Sequence, residues 1–144
     1  MARKDSGNYA RKHSPDRKAD PAVAEAVNQR VKEGEIACAS AFDIVNELGV
    51  TPDEVGLAVD LAEIRLVKCQ LGLYGYQPGR STLTPVDSVA PDLEAAIRGV
   101  LNEGRLPCKA SWEIAERFGI AKMDVSSACE ALKIKLSSCQ LGAF

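Results

Sequence analysis

A single histidine, His13, is all that this 144-residue chain contains, and it lies in a polar stretch ahead of the first periodic segment. The body of the protein therefore holds no imidazole to activate a serine or cysteine nucleophile. Acidic pairs such as Asp53-Glu54 fall at a helix start, where stabilisation of the helix dipole accounts for them. The chain reads as non-enzymatic. No apolar run approaches the roughly 18 residues that a membrane-spanning helix requires. Met1-Ala2-Arg3-Lys4-Asp5 leads into polar sequence rather than an apolar signal core, so a cytoplasmic protein without membrane association is expected. No Cys-x-x-Cys spacing occurs among the five cysteines, and Gly75 to Ser81 has neither the spacing, the lysine nor the following helix of a phosphate loop. No resident cofactor is expected.

What is present instead is a repeat. Residues 21–74 and 91–144 align without a gap at an offset of 70, with 15 of 54 positions identical. The matches include Glu33-Gly34 with Glu103-Gly104, Cys38 with Cys108, Gly49 with Gly119, and the run Cys69-Gln70-Leu71-Gly72 with Cys139-Gln140-Leu141-Gly142. This length is too great for a solenoid period, which needs at least three short stacked units. Two copies of one small domain follow, joined by a Gly-, Pro- and Ser-rich linker over 75–90 and preceded by residues 1–20. Each 54-residue copy lies near the lower limit for folding alone, so the copies are expected to pack on each other or on a partner.

The net charge of −2 conceals an asymmetry. Residues 1–20 carry six basic side chains (Arg3, Lys4, Arg11, Lys12, Arg17, Lys18) against three acidic ones, residues 21–74 carry four against nine, and residues 91–144 carry seven of each. A basic arm, read as a disordered tail or as a grip for phosphates, thus precedes an acidic domain and a neutral one.

Each copy opens on a helix, clearest where Leu93, Ala96, Ile97, Val100 and Leu101 recur at helical spacing. Asp20-Pro21 supplies an N-cap and a first-turn proline, and Glu33-Gly34 and Glu103-Gly104 read as helix ends. A short extended piece follows (Glu35–Cys38, Arg105–Cys108), then a second helix (Ala41–Leu48, Ser111–Phe118) closed by Gly49 or Gly119. Thr51-Pro52-Asp53-Glu54 reads as the capping box of a third helix, a signal the second copy lacks at Ala121. Alternating residues 64–69 and 134–139 close each copy as a strand. The fold class is mainly α with short strands.

Ile44, Leu48, Gly49, Val50, Val55 and Ala58, and in the second copy Ile114, Ala115, Phe118, Gly119, Ile120, Val125 and Ala128, are spaced so that the second and third helices resemble a helix-turn-helix, the two-helix element of many transcription regulators. With a strand before and another after, pairing with each other, each copy is similar to a winged-helix variation. The resemblance implies a DNA-binding regulator whose third helix lies in the major groove. The exposed positions of that helix would then be Thr51, Asp53, Gly56, Leu57 and Asp60, or Lys122, Met123, Ser126, Ser127 and Glu130. Only Lys122 suits base reading, so contacts would fall on the backbone, through the arm with Arg117, Lys122, Lys133 and Lys135, and would be weakly specific and salt dependent. The alternative is a protein-interaction or dimerisation module, with a homodimer among its forms, that uses the acidic face of Asp53, Glu54, Asp60 and Glu63.

Cys38 and Cys69 lie 31 residues apart, as do Cys108 and Cys139, and strand pairing would bring each couple together. Buried thiols serving as small hydrophobes are the simplest reading. A zinc or iron–sulfur site, or a redox-sensing disulfide helped by Lys68, are the other two. Cys129, where the first copy has Val59, reads as core, and so do the aromatics Phe42 and Trp112.

Overall fold

The computed structural model describes residues 8–74 and 86–143. Arg3, Lys4 and residues 75–85 of the expected linker lie outside them. Among the described residues the elements run as a 3-10 turn (Tyr9–Lys12), α1 (Pro21–Arg30), β1 (Glu35–Ala37), α2 (Cys38–Leu48), α3 (Pro52–Leu61), β2 (Arg65–Val67), α4 (Pro91–Arg98), β3 (Leu106–Pro107), α5 (Cys108–Phe118), α6 (Lys122–Leu132) and β4 (Leu136–Ser137). The protein is mainly helical with a few short strands. No helix among the described residues is long and apolar enough to cross a membrane.

Local chemistry fixes most of the ends. Three helices open on proline, whose preset φ suits the first turn and whose missing N–H has no partner to lose there. Asp20 Oδ1 accepts the Ala22 N–H at 2.8 Å. Thr51 and Glu54 form the reciprocal box, Thr51 Oγ1 accepting from Glu54 N at 3.2 Å and Glu54 Oε2 from Thr51 N at 2.9 Å. At α6 only the second half exists, with Asp124 Oδ2 accepting from Ala121 N at 3.1 Å. Gly49 and Gly119 close α2 and α5 in the left-handed conformation, each with φ 66°.

Glu33-Gly34 and Glu103-Gly104 do not cap helices. The helices end earlier, at Arg30 and Arg98, and each pair forms the centre of a two-residue hairpin turn. Lys32 and Glu35 exchange both backbone hydrogen bonds at 2.9 Å, and Asn102 and Arg105 do so at 2.8 and 3.0 Å. Both central residues have positive φ (51° and 76°; 52° and 77°), which is the type I′ geometry that matches strand twist. Val100, expected on the apolar stripe of the first helix, is 47% exposed as a result.

The strands are shorter than expected because the pairing is brief. Glu35↔Arg65, Ile36↔Leu66 and Ala37↔Val67 pair in parallel, and so do Leu106↔Leu136 and Pro107↔Ser137. Parallel neighbours need a crossover, and the two helices between each pair provide it. The pleat turns Ile36 and Leu66 inward and leaves Glu35 and Arg65 outside as an exposed ion pair at 3.3 Å. Cys38 and Cys108, expected as strand ends, instead begin α2 and α5.

The chain forms two compact units. Among the described residues one unit gathers 8–69 with Gln140–Ala143, and the other runs from Gln70 to Cys139. In the first, Val23, Val27, Ile36, Ile44, Val55, Val59 and Leu141 are essentially inaccessible, and in the second Leu71, Ile97, Leu106, Val125 and Cys129 are. Each buried aliphatic contributes about 1.5–3 kcal/mol before entropy is counted.

Candidate functional site

α3 turns Val55 and Val59 into the core, and helical spacing places Gly56, Leu57 and Asp60 away from them. Sequence reasoning expects those three at the surface. All three are buried, because two other segments of the same unit cover that face.

The first cover is the arm. The Tyr9 and Ala10 N–H groups, at the start of the 3-10 turn, donate to the two carboxylate oxygens of Glu63 at 2.9 and 2.8 Å. Tyr9 is 6% exposed. One turn back along α3, Asp60 Oδ2 accepts from His13 Nε2 at 2.8 Å and from Lys12 Nζ at 3.0 Å. The Asp60 side chain is 2% exposed while that of Lys12 is 37% exposed, so solvent screens the pair from the lysine end only.

The second cover is the segment Gln140–Ala143. Lys12 Nζ also donates to the Gly142 carbonyl at 2.8 Å, which ties arm and tail to one cation. Leu141 and Ala143 are 2% and 3% exposed. The Leu141 backbone passes so close to α3 that a Cβ built on Gly56 would lie 2.2 Å from its carbonyl oxygen. A small cleft of about 210 Å³ remains beside this junction, between Arg17, Asp53, Leu57 and the Lys12, His13 and Asp60 cluster.

These contacts engage much of the acidic quartet proposed for a partner. Asp60 and Glu63 hold the arm, Glu54 caps its own helix, and Asp53 is exposed at the cleft. Of the basic residues proposed for nucleic acid, Arg11, Lys12, Arg17 and Lys18 belong to this first unit.

Arg117, Lys122, Lys133 and Lys135 belong to the other unit. Lys122, the first residue of α6, stands over the Trp112 ring with Nζ 4.6 Å from its centroid, a cation–π contact. Trp112, Glu116, Ile120 and Lys122 line an open cleft of about 370 Å³. Arg117 lies over Phe118 at 5.4 Å. Lys133 and Lys135 are exposed, Lys133 in the left-handed conformation that ends α6. Along α6, Ser126 is fully buried, whereas Lys122, Met123 and Ser127 are half-buried and Glu130 is exposed.

None of the five cysteines forms a disulfide, and Cys38, Cys69, Cys108 and Cys129 are buried. Cys38 follows β1 directly, and Cys69 follows β2 after Lys68, which has φ 53°. Cys139 is half-buried with the Tyr74 hydroxyl 4.0 Å from its Sγ. Among the described residues no three of His, Cys, Asp or Glu come together in a way that could hold a metal ion. Burial, reinforced by the charge of Glu130, pushes the Cys129 thiol up to about 11, so it stays protonated at neutral pH.

Sequence reasoning misses the docking of His13 and Lys12 on α3. The available signal is Asp60 itself, a carboxylate directly after the apolar run Val55 to Val59, where an ionised group requires a partner. None of the protein-family models, curated proteins or solved structures compared with the chain matches it.

Proposed function

We propose that the chain is a non-enzymatic regulatory binding protein built from two copies of a helix-turn-helix-like, winged-helix-like unit, in which the second copy contacts DNA and the first is held closed. The duplication is supported by positive backbone φ at matching positions 70 residues apart: Glu33 and Glu103, Gly49 and Gly119, Glu63 and Lys133, Lys68 and Ser138, Gly72 and Gly142. The observation that carries the division of labour is the covered face of α3. A helix whose outer face is buried under arm and tail offers nothing to a major groove, whereas α6 keeps Lys122, Met123 and Ser127 partly accessible. With exposed Arg117, Lys133 and Lys135 in the same unit, the second copy would bind phosphates through about four cations and read bases weakly.

Fluorescence anisotropy with a labelled 30-base-pair duplex of mixed sequence tests this. Four phosphate contacts imply about a hundredfold loss of affinity between 50 and 200 mM salt. The double variant Arg117→Glu/Lys135→Glu should abolish binding, and Asp53→Lys on the covered helix should leave it nearly unchanged. Absence of salt-dependent binding at 50 mM would overturn the reading. The second reading, a protein-interaction module, is favoured by one observation: the α3 face already engages two peptide segments.

A further inference from the structure

We propose that the groove on α3 centred on Gly56 is a docking site for a Gln-Leu-Gly tail, and that a second copy of this chain supplies that tail, so that two chains assemble by exchanging residues 140–143. The inference is independent of any binding to nucleic acid.

Three observations carry it. First, the grip on the tail is local. It includes the Leu141 backbone against the bare Cα of Gly56, the Lys12 bond to the Gly142 carbonyl, and burial of Leu141 and Ala143. These contacts are made by three consecutive residues, so they can form whichever chain delivers the segment.

Second, the chain already separates a tail from the residues that precede it. The division between the compact units falls after Cys69 and after Cys139, the same place in both copies of Cys-Gln-Leu-Gly. Gln140–Ala143 therefore completes a unit to which β4 and Cys139 do not belong. Third, the residue before each of these cysteines, Lys68 or Ser138, is a non-glycine with φ 53°, a backbone kink that redirects the chain where the tail departs.

A segment that completes another unit within one chain makes the same contacts when it comes from a different chain. Only the entropy of joining differs, so exchange between molecules is governed by concentration.

The test uses two full-length variants. Gly56→Leu fills the groove and leaves the tail intact, and Leu141→Asp leaves the groove intact and makes the tail unable to bury. Far-UV circular dichroism confirms that each retains its helix content. Size-exclusion chromatography with light scattering at roughly 100 μM should show monomers for each variant alone and a 1:1 dimer for the mixture, because one good tail then meets one good groove. A mixture that stays monomeric overturns the proposal. A labelled synthetic peptide of residues 137–144 titrated into the Leu141→Asp chain should bind saturably, and at least tenfold more weakly when the peptide carries the same substitution. Equal binding of both peptides, or none, also overturns it. Leu141→Ala replaces Leu141→Asp in both experiments if the aspartate lowers the helix content.

Discussion

Replacing Gly56 by alanine sets two effects of opposite sign against each other in one helix. Alanine in a helix interior is favoured over glycine by about 1 kcal/mol, because glycine loses more backbone entropy on folding. Against this, the new methyl would lie 2.2 Å from the Leu141 oxygen, 2.9 Å from its carbonyl carbon and 3.2 Å from its Cα, all backbone atoms that no rotamer change can move aside. Overpacking of this kind costs about 1–3 kcal/mol. In the full chain the net effect should therefore run from nearly neutral to a destabilisation of about 2 kcal/mol. In a chain ending at Cys139 the obstacle is gone and the same substitution should stabilise by about 1 kcal/mol. The decisive quantity is the difference between the two backgrounds, expected at about 1–3 kcal/mol and well above the 0.3–0.5 kcal/mol scatter of independent sites. Urea unfolding followed by far-UV circular dichroism measures it. Tryptophan fluorescence would not serve, since the only tryptophan, Trp112, belongs to the other unit. Equal shifts in the two backgrounds would refute the close approach of the tail to α3.

The Asp60 cluster should respond asymmetrically to which partner is removed. Lys12→Ala/His13→Ala strips a carboxylate that is 2% exposed of its lysine and of its imidazole hydrogen bond and is expected to cost about 3–5 kcal/mol, whereas Asp60→Asn releases side chains already 37% and 21% exposed and should cost about 1–3 kcal/mol. Urea midpoints give the order, and faster tryptic cleavage between Arg11 and Lys18 in both variants reports release of the arm. At the helix starts, Thr51→Ala should cost about 1 kcal/mol, and Ala121→Thr should stabilise α6 by about 0.5–1 kcal/mol by completing the box that Asp124 half forms. A thermal melt showing no gain from Ala121→Thr would contradict the cap geometry. For Cys129 the folded value of about 11 lies above the ordinary 9.0, so the unfolded chain gives up its proton first as pH rises. The stability contribution is complete below pH 9 and is lost between pH 9 and 11. Cys129→Val, the residue found at position 59, should flatten the fall in urea midpoint over that window, and parallel curves would refute it.

What the sequence conveys well is chemistry that acts within a few residues. The capping box at Thr51, the first-turn prolines and the left-handed Gly49 and Gly119 all follow from side chains meeting the adjacent backbone, and all appear where expected. The pairing of the strand before the second helix with the strand after the third also appears, since alternation marks Ile36 and Leu66 as inward. Glu33-Gly34 shows how the same local reading goes astray. Helix end and hairpin centre both call for positive φ at glycine, and they differ only in whether the preceding glutamate also adopts it, which composition does not reveal.

The covered face of α3 is a different kind of omission, because its causes lie about 45 and 85 residues away along the chain. Amphipathic periodicity divides a helix into core and solvent, yet this helix has two buried faces, one of aliphatic side chains and the other of a carboxylate and a bare glycine under two segments distant in sequence. The traces of the second face are Asp60 beside an apolar run and a glycine in the middle of a helix, a weakness of about 1 kcal/mol that calls for a compensating contact. Seventy residues further on, in α6, stands Ser126, fully buried, its hydroxyl without a hydrogen-bond partner among the described residues. A backbone passing as close there as Leu141 passes to Gly56 would collide with the serine Cβ, so α6 cannot hold a segment as α3 holds Leu141. The difference between glycine at 56 and serine at 126 thus separates a helix face that admits a passing backbone from one that does not.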